Sequence, residues 1–536
     1  MKILKAVNDR YIEIFLKICI AYGVVLHMAP YFYNRSLWVD EAMLVSSICA
    51  RSFSELVASP LDWGQSAPVG YLFIVKLITM VWNTSEAALR IFSLFSAFIC
   101  MCLIYALLKE KVSKKLTLWA VAIFSLTNGY IYYSNEAKPY MSDNMFCLLT
   151  LYIWQKYQEK QIEFYKLCLV YAILIWFSFS AVFFIAACMI IECIHQIRSS
   201  RVMKHFLYNV APCSFVLLSF LINYGSWLST TSSNAGGAGY WNLLKFPILP
   251  TSIDDLKLLV RMSREFCFFY GKFISLFLYT EVLLCAVTCA KRNIICLRII
   301  LPYILAVLLL LVASFMGFYP IKERLLQMCP LIALVIATFF SEEVSKYSFK
   351  IGNKKILFFI QLLLFLILIR VGIHGSENLF AQNVYKSGSE VSASIDFLDK
   401  NLKGKDVVYV HRHAIPVYSY ETGFHISFED LQMLDTNKND ENMLPGLPHQ
   451  FENTIYGQGL VKYKYQQPYS YEFDLDEKAI RQDVEMIAKY HSVYLFTSHG
   501  AVGIDNLIEL LRKKGSVKIV VDSYNTRLYH FVRKVS

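Results

Sequence analysis

Two adjacent acids, Asp40 and Glu41, stand in the stretch Ser36-Leu37-Trp38-Val39-Asp40-Glu41-Ala42, behind a tryptophan and just after the first long apolar run. A carboxylate beside a bilayer is costly unless it is solvated, paired or bound to a metal. Such a pair can deprotonate a hydroxyl or hold a divalent cation. It can equally be favourable charge at a helix N-terminus. A second group lies in Tyr132-Tyr133-Ser134-Asn135-Glu136-Ala137-Lys138-Pro139-Tyr140-Met141-Ser142-Asp143, which contributes Glu136, Asp143, Lys138 and Tyr140. The third, Tyr319-Pro320-Ile321-Lys322-Glu323-Arg324, adds two cations. Arg grips phosphate oxygens well, although Lys, Arg and Tyr also serve as plain interface anchors. Arg90 is a further cation, with Glu86 four residues earlier as the ion-pair alternative.

What must position these residues is a membrane scaffold. The chain has 536 residues, of which 56% are hydrophobic and 17% charged, and its apolar runs approach the length of a bilayer core. The net charge of +11 comes from short basic clusters between those runs, which is how cytoplasmic loops look, so nucleic-acid binding is rejected. All 14 cysteines lie at or before Cys329 without metal-ligand spacing and read as small buried hydrophobes.

Tyr11 to Tyr33 is long enough to cross once, and Lys2, Lys5 and Arg10 before it place the N-terminus in the cytoplasm. Asp40 and Glu41 then lie on the outer face. Ala42 to Leu56 reads as an amphipathic helix lying in the interface. Pro68 to Trp82 is apolar but short and carries Lys76, so it is read as interfacial or re-entrant rather than spanning. The later spans are Glu86–Leu108, Leu116–Tyr133, Ala137–Tyr157, a pair within Phe164–Ile194, His205–Leu228, Phe266–Ala290, Ile294–Phe318, Leu325–Phe340 and Ile356–Ile373. That makes about eleven crossings, and the loop lysines and arginines agree with it.

Ser229 to Arg264 reads as an outer loop whose Gly236-Gly237-Ala238-Gly239 supplies flexibility, as in a mobile lid. From Ser387 long apolar runs stop and strand-like runs appear at Val407–Val410, Ser492–Phe496 and Val517–Val521, with a helical pattern over Ile504–Lys513. The expected fold class is therefore mostly α: a polytopic membrane bundle, residues 1–380, with a C-terminal soluble α/β domain, residues 387–536, outside the cytoplasm. Asp474-Leu475-Asp476 has the form of a metal-binding DxD but reads as coincidence, and His411 and His413 share a strand face as solvent-facing residues. Glu281, inside an apolar run, needs a partner or burial as a neutral acid.

The order of LWVDEA, SAPVGYLFIVKL, SEAALRIFSLFSA, YSNEAKPYMSDN and YPIKERLL resembles the integral-membrane GT-C glycosyltransferases, nearest to the family 39 and aminoarabinose-transferase-like branch, over roughly the first two-thirds of the chain. The resemblance implies an enzyme of the outer face, in a bacterial inner (plasma) membrane, that takes a sugar from a polyprenyl phosphate with inversion. It implies Asp40 as general base or metal-linked carboxylate with Glu41 beside it. Glu136 and Asp143 would be the acids of the second outer loop, and Lys138, Tyr140, Lys322, Arg324 and Arg90 would lie at the donor phosphate. Many relatives carry Arg where this chain has Lys138, and a Lys where Ala67 precedes Pro68.

The physical logic agrees. A departing phosphate keeps its negative charge and needs fixed cations more than a proton donor. The acceptor hydroxyl needs a base opposite the leaving group. A divalent cation (Mg²⁺ or Mn²⁺) held by Asp40 and Glu136 is the one cofactor this reading admits, and carboxylates serve as bases without it. The expected partners are the lipid-linked donor, membrane lipids, and a lipid-linked saccharide, polysaccharide or protein acceptor. A flippase or exporter without chemistry is the alternative from another class; transporters place ionisable groups near the midplane and show repeats, neither of which stands out here.

Overall fold

The computed structural model describes residues 2–199, 203–228, 246–247, 252–292, 297–350, 354–380, 390–423, 426, 430, 454–457, 460–467, 470–499, 501 and 503–534. The glycine stretch 236–239 and the 381–389 junction lie outside them. The first part is helical: Lys2–Tyr33, Val39–Ala50, Phe53–Ala58, Val69–Val81, Glu86–Leu108, Lys114–Leu126, Asn128–Tyr133, Tyr140–Gln158, Phe164–Leu174, Ala181–Ser199, Met203–Asn223, Ile253–Phe266, Gly271–Arg292, Leu297–Phe315, Met328–Lys350 and Lys354–Phe380. Among the described residues four of these are long and apolar enough to cross a membrane alone, over Arg10–Tyr33, Glu86–Leu108, Arg298–Phe315 and Met328–Tyr347. A fifth arises if Ile253–Phe266 and Gly271–Val287, bent by 89°, form one span. The protein is an integral membrane protein. The other expected crossings fall on shorter or less apolar helices, so the count of eleven does not follow from helix length and composition.

Two departures from the sequence reading have clear causes. The Leu116–Tyr133 run is broken at Thr127, whose side-chain hydroxyl donates to the Ile123 carbonyl while its backbone turns extended. The Ser229–Arg264 loop contains the Ile253–Phe266 helix, started by a reciprocal cap between Ser252 and Asp255. At Gly70 the backbone lies so close to Phe177 that any side chain would collide, and its N–H donates to the Trp176 carbonyl at 2.8 Å. This seats the short Val69–Val81 helix against the turn before Ala181–Ser199.

The C-terminal part carries a five-stranded sheet of β1 (Val407–Val410), β2 (Thr454–Tyr456), β5 (Ser492–Ser498), β6 (Gly515–Ser523) and β7 (Thr526–Arg533), in the order β2-β1-β5-β7-β6. Strands β2, β1 and β5 are parallel, and β5, β7 and β6 antiparallel. Between β2 and β5 in sequence, β3 (Val461–Gln467) and β4 (Ser470–Leu475) form a separate hairpin.

The Ala42–Leu56 segment is not one continuous amphipathic helix. It divides at Arg51, where the backbone is extended and Ser52 caps the next helix with Glu55. Its first half is buried on several sides: Ala42, Leu44, Val45 and Ile48 are 0% exposed. They belong to one apolar core that also contains Leu72 and Val75 from the membrane side and Val391, Ile395, Val410, Ile415, Val417, Tyr418 and Phe496 from the C-terminal part. The alternating polar residues had suggested a wet face. Ser47 instead donates to buried Asp62 at 2.8 Å, and Asp62 also takes Arg51 at 2.7 Å.

Candidate active site

The two adjacent acids have different environments. Glu41 is fully buried and accepts five hydrogen bonds: from Arg35 at 2.8 Å, Arg90 Nε at 3.0 Å, Arg90 Nη2 at 2.9 Å, and the backbone N–H groups of Trp38 and Ala137, each at 2.8 Å. Burial opposes its charge, but the Arg35 and Arg90 guanidinium groups outweigh that and hold the carboxyl far below the usual range. Glu41 thus ties the first helix's exit, the loop before Tyr140 and the Glu86–Leu108 span into one knot. Its oxygens are saturated.

Asp40, one residue earlier, points elsewhere. Its side chain is 32% exposed and accepts from Arg324 Nη1 at 2.8 Å. Burial would raise its pKa, yet Lys138 and Arg324 more than offset this and keep it below the ordinary value. Glu136 is buried by comparison; burial and the neighbouring Glu41 charge raise its carboxyl, against the pull of Arg35 and Arg324. Lys138 is also buried. Its ammonium donates to Gln65 Oε1 at 2.6 Å, and burial lowers its pKa to about 8 against the attraction of Asp40 and Glu136. Arg324 lies over the Tyr140 ring, 5.8 Å from its centre, a cation–π contact.

The cluster is therefore Asp40, Glu136, Lys138, Tyr140 and Arg324, with Gln65 beside Lys138. The remaining sequence candidates sit around it in other roles. Arg90 is spent on Glu41 and on the carbonyls of Arg35 and Ser36, at 2.6 and 3.3 Å, and does not pair with Glu86. Lys322 lies between Glu323 at 2.6 Å and Glu265 at 3.4 Å, so its charge is already matched. Asp143 accepts from Ser178 at 2.5 Å and from Ser180 at 3.5 Å. Ser180 meets the Tyr319 hydroxyl at 3.0 Å, and Tyr319 donates to the Leu325 carbonyl. Asp143 thereby braces the loop that carries Arg324.

Four residues escaped the sequence reading: Arg35, Gln65, Glu265 and His499. His499 comes from the far end of the chain, and its Nε2 accepts from the Val39 N–H at 3.1 Å, directly beside Asp40. The DxD aspartates divide: Asp476 caps the Glu477–Ala488 helix by accepting from the Ala479 N–H at 3.2 Å. His411 and His413 do not share a strand, since β1 ends at Val410; their rings are 5.4 Å apart and perpendicular. Glu281 lines an apolar pocket with Trp119, Leu278 and Leu364, away from the cluster.

A divalent cation at Asp40 and Glu136 does not fit this set of groups. Asp40 already faces two cations, Lys138 and Arg324, whose charge opposes a third beside it. Among the described residues, no three His, Cys, Asp or Glu side chains gather as a metal site.

The structure thus combines a helical membrane scaffold, an acid–base cluster and a small α/β unit that shares an apolar core with the Val39–Ala50 helix. Residues 66–224 match the family model described as dolichyl-phosphate-mannose-protein mannosyltransferase. That stretch holds Glu136, Lys138, Tyr140 and Asp143 but neither Asp40 nor Arg324. The crystal structure of ArnT from Cupriavidus metallidurans in the apo state is similar over 96% of this chain and 97% of that one, with a TM-score of 0.52 at 9% identity. The structure of ArnT bound to undecaprenyl phosphate gives 0.51 at 8% identity, covering 96% and 98%. At such identities the likeness is one of fold. No curated protein matches the sequence.

Proposed function

We propose that the protein is a polyprenyl-phosphate-sugar-dependent glycosyltransferase that moves a sugar, with inversion, to a hydroxyl of a cell-envelope acceptor on the outer membrane face. The observation that carries this reading is the Asp40–Arg324 pair with Lys138 alongside. The family model over 66–224 and the ArnT-like fold support it. Undecaprenyl phosphate, bound by ArnT, suggests the kind of lipid carrier.

In the proposed reaction the acceptor hydroxyl oxygen attacks the anomeric carbon while the bond from that carbon to the phosphate oxygen breaks. Asp40 takes the hydroxyl proton. The bonding pair leaves on the phosphate, where Lys138 and Arg324 meet the developing charge in a low-dielectric setting. Arg324 is held by Asp40 in this arrangement; a phosphate placed between Arg324 and Lys138 competes for the guanidinium and frees the carboxylate to act as base. Glu41 and Arg90, assigned to the site from sequence, act instead as its frame. Asp143 and Lys322 take supporting positions.

Purified protein in vesicles, given a labelled polyprenyl-phosphate sugar, is expected to release the lipid monophosphate and to label an acceptor from the cell envelope. A diphosphate lipid product would move the reading to a glycan polymerase or ligase. Movement of the unchanged donor across the bilayer would overturn it in favour of a flippase.

Lys138 gives a pH signature. With its pKa lowered to about 8, it is a cation below that pH and loses its charge above it. The donor KM is therefore expected to rise between pH 7 and 9. Lys138→Arg should remove the rise, because guanidinium stays charged throughout. A donor KM that is flat across this range in the unaltered protein would remove Lys138 from the phosphate.

A further inference from the structure

The helix that carries Asp40 begins at Val39, and its first N–H groups have no partner within the helix. Glu41 takes the Trp38 N–H from within the same turn. The Val39 N–H is taken by His499 Nε2 at 3.1 Å, across 460 positions of sequence. A backbone N–H only donates, so Nε2 presents its lone pair and the ring proton sits on Nδ1, which faces Ser498 Oγ at 2.7 Å. Burial lowers the pKa of His499 to about 4, so the ring is neutral and this tautomer holds at physiological pH.

Two further contacts fix the ring. Its edge packs on Trp38, with centroids 4.6 Å apart and planes at 68°. Its backbone is left-handed, φ +60°, a conformation unusual outside glycine, and is held there by its N–H donating to the Asn525 carbonyl at 2.8 Å. The strain sits at the end of β5 (Ser492–Ser498), where the chain must turn to bring the imidazole to the membrane-side helix. Below this contact, Ala42, Val45 and Ile48 share a core with Ile415, Tyr418 and Phe496.

We infer that His499 is a positioning residue for the transferase: the C-terminal domain supplies the cap that fixes the first turn of the Val39–Ala50 helix and so aims Asp40 at the acceptor. The inference rests on Asp40 being the base. His499 touches neither sugar nor phosphate in this account and acts through Val39 and Trp38.

The test uses the full-length enzyme with His499→Phe and His499→Gln. Phe keeps a ring against Trp38 but has no acceptor; the Gln side-chain oxygen stands near the place of Nε2. His499→Phe is expected to lower kcat about tenfold to a hundredfold while the donor KM moves less than about twofold. His499→Gln should recover kcat to within about threefold of the unaltered enzyme. If the Phe variant does not accumulate, Ser498→Ala, which removes the partner of Nδ1, should lower kcat about three- to tenfold. An unchanged kcat in His499→Phe, or in Ser498→Ala where it is used, overturns the inference. So do equal losses in His499→Phe and His499→Gln, and so does an effect confined to KM. Transfer retained by Asp40→Asn would instead remove the base assignment, whatever the His499 variants do.

Discussion

Asp40→Asn is expected to reduce sugar transfer by about 10²–10⁴-fold, the range over which a positioned general base acts. The substitution is nearly isosteric. An amide oxygen still accepts from Arg324, now 2.8 Å from the carboxylate, so the loop carrying that guanidinium keeps its anchor. What is lost is the ability to take a proton. The Asp40 side chain is 32% exposed and pairs with Arg324, itself 26% exposed, so the fold does not depend on the charge. Protein level and thermal midpoint should stay near those of the unaltered chain. Steady-state transfer with purified donor is the measurement; activity retained at half or more would defeat the assignment.

Glu41→Ala should fail in a different manner. Its side chain is 0% exposed, and the partner arginines are 6% and 2% exposed. Removal leaves the Arg90 guanidinium buried without the carboxylate it pairs with and Arg35 with only the neighbouring Glu136, together with two unpaired backbone N–H groups. Breaking a buried pair in this way costs about 3–5 kcal/mol. The variant is expected to accumulate poorly and to unfold at markedly lower temperature in detergent, with activity lost in proportion to folded protein. Because the folded-state pKa of Glu41 lies below its ordinary value, the stabilisation is fully present above the ordinary carboxylate range and disappears as pH falls through the lowered value. A thermal midpoint unchanged in Glu41→Ala would show that the knot does not hold the site together.

These two residues show where the sequence was legible and where it was not. Both are acids behind the same tryptophan, and residue type alone cannot separate them. Their partners do: Glu41 meets Arg35, which nothing in the sequence singled out, and Arg90, which was placed at the donor phosphate with Glu86 as its ion-pair alternative. The apolar runs were more readable, because a span announces itself by length. Glu86–Leu108 begins after a capping Ser85 and ends at Lys109, matching its expected bounds. The Val407–Val410 strand was likewise visible as a β-branched run. The amphipathic pattern of Ala42–Leu56 misled, since a helix face that looks ready for lipid headgroups looks the same when the covering surface arrives from residues 391–528. Contacts so remote in sequence leave no periodic trace, and His499 is the clearest case.

The common core beneath Asp40 also joins early and late parts of the chain. The acids and the Arg324 loop all lie before residue 330, yet part of the surface that backs the Val39–Ala50 helix comes from strands and helices between Val391 and Leu528. A chain cut after the last membrane helix would keep Asp40 on a helix that has lost the part of its packing supplied by residues 391–528.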